Sequence, residues 1–70
     1  MTEVKAELVG SVWKVKTAPG AEVAEEDELL ILESMKMEIP VTAPVAGTVK
    51  EIRVREQEVV KEGQVLAIIE

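Results

Sequence analysis

The stretch Glu28-Leu29-Leu30-Ile31-Leu32-Glu33-Ser34-Met35-Lys36-Met37-Glu38-Ile39-Pro40-Val41-Thr42 decides the fold. Its apolar run, Leu29 to Leu32, is too short for a helix and is flanked by acids, so it reads as a buried strand. Pro40 and Pro44 exclude a helix just downstream. Segments 28–34 and 37–42 therefore read as an antiparallel hairpin with a two-residue turn at Met35-Lys36. That turn sets the register: Ser34 faces Met37, Glu33 faces Glu38 and Leu32 faces Ile39. The turn lacks the Asn-Gly or Asp-Gly that two-residue hairpins favour. Glu33 opposite Glu38 sets like charges across the strands, at a cost of a few tenths of a kcal/mol. The tip holds one flexible primary amine, Lys36, at the most protruding point of a β scaffold.

Outward from this centre the chain repeats itself. Shifted by 37 positions without a gap, Gly10 falls on Gly47, Ser11 on Thr48, Val12 on Val49 and Val15 on Ile52. Val23 falls on Val60, Glu25 on Glu62, Leu29 on Leu66, Ile31 on Ile68 and Leu32 on Ile69. The match predicts two similar halves, about 4–34 and 41–70, joined by the Met35-Lys36 turn and related by a pseudo-twofold axis. Segments 10–17 and 28–34 read as strands, with 47–54 and 65–70 as their copies. Residues 21–28 have a composition that allows a helix, but their copy carries Val59-Val60 and Gly63, so the repeat predicts a loop and a short strand. The expected fold is all-β: a flattened barrel or sandwich of two quasi-repeated four-strand halves, closed enough to limit free edges.

Two mismatches in the repeat are informative. Gly20 pairs with Gln57, and Glu26 pairs with Gly63. If the halves share backbone geometry, Gln57 or Glu26 sits at positive φ, at a cost of about 1 kcal/mol in each case; the alternative is that the turn type differs between the halves.

Composition narrows the function. The 70 residues hold no Cys, no His and one aromatic residue, Trp13, with eight Lys plus Arg against fourteen Asp plus Glu, a net charge of −6. This excludes the usual zinc sites, disulfides and thiol or imidazole chemistry. An acidic chain with one aromatic is a poor nucleic-acid platform. No apolar run approaches a membrane span, and the N-terminus has no signal-peptide core. A cytoplasmic monomer is expected. Val, Ile and Leu supply 22 residues for a core that has neither disulfide nor metal to help it. The acidic run Glu25 to Glu28 lacks the spacing of a calcium loop and reads as a solvated face. Ser34 lies two residues from Lys36, not the three of a Ser-x-x-Lys site, so self-contained catalysis is not expected. Trp13 reads as partly buried structure, with a partner contact as the other reading.

These residues resemble the biotinyl/lipoyl attachment domain family. Glu33-Ser34-Met35-Lys36-Met37 is similar to the Glu-Ala/Ser-Met-Lys-Met that marks its biotin branch, at the junction of the repeats. Ala43-Pro44-Val45-Ala46-Gly47-Thr48-Val49 resembles the opening of its second half, and Val65-Leu66-Ala67-Ile68-Ile69-Glu70 its last strand. The resemblance covers essentially the whole chain as a single domain, 1–70, similar to the small stand-alone attachment proteins or to the carrier domain of acyl-CoA carboxylase, pyruvate carboxylase or decarboxylase complexes. The chain departs in having Glu26-Asp27 where many members have Gly-Asp, and in lacking the thumb loop of some acetyl-CoA carboxylase carriers.

The resemblance implies a non-catalytic biotin carrier. A biotin protein ligase would acylate Lys36, and the swinging arm would carry carboxylate between a biotin carboxylase and a carboxyltransferase or decarboxylase. A lysine in water is almost wholly protonated at neutral pH, so activation would fall to the ligase. Met35 and Met37 read either as gap-filling core residues or as soft contact surface for partners. Glu33, Ser34 and Glu38 flank the lysine as candidate recognition groups, the two acids equally well as gatekeeping charges. One alternative is a lipoyl carrier of a 2-oxoacid dehydrogenase-type complex, or a dual acceptor. Lipoyl domains usually carry Asp-Lys-Ala at the tip, so Met-Lys-Met favours biotin over lipoate. An alternative of another class is an unmodified barrel-sandwich interaction module.

Overall fold

Branched Val and Ile favour a pleated, half-buried surface, and the chain forms eight strands and no helix. The computed structural model describes all 70 residues. In chain order the strands are β1 (Thr2–Lys5), β2 (Gly10–Val15), β3 (Glu22–Val23), β4 (Glu28–Ser34), β5 (Met37–Thr42), β6 (Gly47–Ile52), β7 (Val59–Val60) and β8 (Val65–Ile69). They make two four-stranded antiparallel sheets, β1-β8-β6-β3 and β5-β4-β2-β7.

The 37-residue shift carries β1 onto β5, β2 onto β6, β3 onto β7 and β4 onto β8, and so carries each sheet onto the other. The halves are therefore not two separate sheets. Each sheet takes two strands from each half, and neither half could close its ladders without the other.

The core obeys the same symmetry. One buried cluster holds Ala6, Val12, Leu30, Leu32, Val54, Val60 and Leu66. The other holds Val4, Leu29, Ala43, Val49, Ala67 and Ile69, with Val23 packed against it. Shifting the first set by 37 residues in either direction gives Ala43, Val49, Ala67, Ile69, Val23 and Leu29. Only Val54, whose counterpart is Thr17, has no apolar image.

Bulges explain why the apolar runs do not alternate. Leu29 is an extra residue between the Glu28–Thr42 and Leu30–Val41 pairs, and Leu66 is its image between the Ala67–Val4 and Val65–Lys5 pairs. Each bulge lets consecutive residues of one strand face both clusters. A second pair of bulges lies at Trp13 in β2 and Lys50 in β6.

Residues 21–28 form no helix; Glu22–Val23 is the expected short strand. The two strands expected over 10–17 and 47–54 end earlier, at Val15 and Ile52. Beyond those points one bond survives in each half, from Lys16 N to the Leu29 carbonyl (2.9 Å) and from Arg53 N to the Leu66 carbonyl (2.8 Å). Gly20 and Gly63 lie at φ 91° and 85°, and their partners Gln57 and Glu26 at φ 75° and 73°. Shared backbone geometry thus overrides residue preference at both turns.

Candidate functional site: the Lys36 hairpin tip

The β4–β5 ladder runs from Glu28–Thr42 up to Leu32–Ile39, Glu33–Glu38 and Ser34–Met37, the register the two-residue turn requires. Met35 and Lys36 close it at φ 52° and 66°. Two consecutive positive φ angles in a two-residue loop are the signature of a type I′ turn, whose twist matches that of the strands. Glycine or asparagine adopts this conformation cheaply; Met and Lys do so at about 1 kcal/mol or more each. The tip is therefore strained, and the ladder beneath holds it.

Two features fix that ladder. Leu32 is fully buried in the cluster under the tip. Gly10 of β2 lies so close to β4 that a Cβ there would sit 2.8 Å from the Glu33 carbonyl oxygen. Ser11 pairs with Glu33 in the same register. Sequence reading matched Gly10 to Gly47 but did not connect it with the tip. The signal was there: both glycines occupy strand starts, where glycine has no value unless backbones approach closely.

All six residues singled out around the tip lie together. Lys36 is exposed, and its amine makes no ion pair or hydrogen bond; the three ion pairs are Lys5–Glu3, Lys16–Glu28 and Arg53–Glu51. Met35 is 91% exposed and Met37 64%, so neither fills the core. Glu33 and Glu38 are exposed and stand opposite each other, with no cation bridging them. Ser34 is half-buried beside Met37. No side chain with acid–base or nucleophilic character contacts the amine, so the tip presents a reactive group without activating it. A free, protruding amine fits a covalently attached group: acylation would break no existing contact.

A family model described as Biotin-requiring enzyme, of the biotin/lipoyl family, matches residues 2–69. The chain belongs to the biotin/lipoyl family. The biotinylated protein TB7.3 homolog of Mycobacterium leprae is 45% identical over 67 residues, covering 96% of this chain and 94% of that protein. The biotin/lipoyl attachment protein of Bacillus subtilis is 44% identical over 63 residues, covering 90% of this chain and 86% of its own length. Among solved structures, the urea carboxylase of Kluyveromyces lactis contains a region that superposes with a TM-score of 0.92 at 32% identity, over 97% of this chain and 6% of that one. The biotin/lipoyl fold met here as a short chain thus recurs inside a much longer carboxylase. Family, fold and relatives make this chain a biotin-carrier domain.

Proposed function

We propose that Lys36 is the residue to which biotin is joined, that a biotin protein ligase joins it, and that the domain then serves a biotin carboxylase and a carboxyltransferase or decarboxylase. The observation that carries this reading is the unpaired Lys36 amine on a strained, two-residue tip at the centre of the repeat. In the attachment step the amine nitrogen bonds to the carboxyl carbon of a biotinyl adenylate. The carbon–oxygen bond to the phosphate breaks, AMP leaves, and the ammonium gives up two protons. One cation is lost, so the chain goes from eight cationic groups against fourteen anionic ones to seven against fourteen, from −6 to −7. Bound biotin supplies a ureido ring that takes up and releases carboxylate. The domain contributes position: a lysine stem and acyl chain give a reach on the order of 10–15 Å from bond lengths, and tethering raises the effective concentration at each partner site. Cytoplasmic placement, where such partners would meet it, belongs to the same proposal.

The test is an intact mass after expression with biotin, lipoate and both ligases, with mapping of the modified peptide. A biotinyl increment confined to Lys36 and absent from Lys36→Ala is expected. Label on Lys14 or Lys50 would overturn the site. A lipoyl increment at Lys36 would move the cargo to lipoate, and an unmodified mass beside a labelled control acceptor would overturn the carrier reading.

A further inference from the structure

The pseudo-twofold axis supplies an internal control. Two sheets share one backbone, so side chains that differ between matching positions are not dictated by the fold. The inner faces match in apolar character except at Val54, but the outer faces do not. On the β5-β4-β2-β7 sheet Trp13 and Val59 are 47% and 67% exposed, and Val9, the residue before β2, is 59% exposed. Their images on the other sheet are Ala46, Lys50 and Glu22. Three exposed apolar residues thus stand where the other half has Ala, Lys and Glu, on a face that also carries Lys14, Glu33 and Glu38.

Trp13 shows the excess most clearly. Ile31 is buried yet belongs to neither core cluster, so it is covered on the outer face, beside the Trp13 bulge and opposite Pro40. Its image Ile68 is buried to the same degree beside the Lys50 bulge. The matching outer isoleucine is thus buried to the same degree with no indole beside it: its strand partners are Glu51 and Glu3, while those of Ile31 are Lys14 and Pro40. The half-exposed tryptophan is more than the fold needs, and Val59, pointing away from the core that holds Val60, supports nothing internal.

These apolar residues share the sheet that carries the tip. Glu38, Glu33, Ser11 and Val59 form one row across the sheet, just below Ser34 and Met37. Val9 lies two residues nearer the tip than Ser11, level with Met35. Strand spacing and rise place Val9 and Val59 about 10–15 Å from Lys36. An enzyme that forms a bond to the lysine amine must lay its surface against the scaffold within that distance.

We propose that Val9, Trp13 and Val59 form the seat of the biotin ligase, a partner presenting an apolar patch with cationic groups at its rim facing Glu33 and Glu38. This rests on Lys36 being the biotinylated residue. Neither acid has a cation of its own in the protein, and tryptophan is among the residue types enriched where binding energy concentrates.

The test installs the image residues: Val9→Ala, Trp13→Lys and Val59→Glu together. Each is already carried on the same backbone by the other sheet, and the added lysine and glutamate leave the net charge at −6. With purified biotin ligase, biotin and ATP, the KM for the carrier rises roughly tenfold or more, kcat is unchanged, and the mass increment stays on Lys36. The control pair Glu22→Ala and Lys50→Ala, on the other sheet, keeps the wild-type KM. Should the triple variant fold poorly, Val9→Ala with Val59→Glu changes only residues more than half exposed and shows a smaller KM rise. A wild-type KM in the folded variant overturns the seat while leaving Lys36 as the site. A fall in kcat at unchanged KM also overturns it. Absence of biotin from Lys36 in the wild type removes the attachment reading itself.

Discussion

Replacing Met35-Lys36 by Asn-Gly makes the domain more stable and useless as a carrier. Both residues lie in the left-handed region, at φ 52° and 66°. For ordinary L-residues that region costs roughly 1–2 kcal/mol each. Asparagine tolerates it and glycine occupies it freely, although glycine returns about 0.5–1 kcal/mol through the flexibility of the unfolded chain. The net gain is about 1–2 kcal/mol. Nothing offsets it through packing, since Met35 is 91% exposed and Lys36 has no partner. Urea and thermal unfolding followed by far-ultraviolet circular dichroism read the change. At about 4–8 °C per kcal/mol for a domain of this size, the midpoint rises visibly. Lys36→Ala is the control: alanine suffers the same left-handed penalty as lysine, so it stays within about 0.5 kcal/mol of wild type. If Asn-Gly proves no more stable than Lys36→Ala, the tip holds no strain and the type I′ reasoning is wrong.

Three further outcomes follow from the same geometry. Gly10→Ala drives a Cβ against the Glu33 carbonyl oxygen, 2.8 Å away, and loses about 1–3 kcal/mol by urea unfolding; an unchanged midpoint would mean that β2 and β4 separate without cost. Glu26→Gly and Gln57→Gly restore the residue found at the matching turn and each gain a few tenths to about 1 kcal/mol in thermal unfolding, once the flexibility of glycine in the unfolded chain is subtracted; a loss at either would show that the side chain, not the backbone, matters there. Glu38→Lys turns the like-charge pair with Glu33 into an attractive one and stabilises by a few tenths of a kcal/mol at low salt. That gain shrinks as salt is added, and a salt-independent gain would rule out charge as its origin.

What could be read from the sequence was what the repeat constrains. A two-residue turn admits one register, so the pairing of Ser34 with Met37 and Leu32 with Ile39 was legible. The positive φ angles of Gln57 and Glu26 were legible because glycine marks the same turn in the other half. Rejecting a helix over 21–28 rested on Gly63 and the paired valines of its copy. The tip itself has no copy, so nothing announced that Met35 and Lys36 adopt the left-handed region; their residue types argue against it. β1 was invisible for a different reason. It offers only Val4 as a buried residue, and its pairing with β8 joins opposite ends of the chain. Bulges at Trp13, Leu29, Lys50 and Leu66 escaped too, because a bulge is a property of two strands in register and not of one strand's pattern.

The symmetry also explains why the lysine stands where it does. The twofold image of the β4–β5 hairpin is the β8–β1 pair, so the image of the Met35-Lys36 tip is the two chain ends, Met1 and Glu70. Leu32, at the tip end of β4, packs in the cluster that holds Leu66, from the start of β8; Ile69, at the end of β8, packs in the cluster that holds Leu29, from the start of β4. The tip and the chain ends therefore lie at opposite ends of a molecule 31 Å long and 17 Å across. A chain entering and leaving at one end leaves the other unobstructed, which is the geometry a reaching arm needs when the same fold sits within a longer polypeptide. At one end the repeat is interrupted by the termini; at the other the only unduplicated element is two strained residues. Strain of about 2 kcal/mol is sustained there because the hairpin beneath belongs to both halves at once. β4 comes from the first half and β5 from the second, so relaxing the turn would mean loosening the seam that holds the halves together.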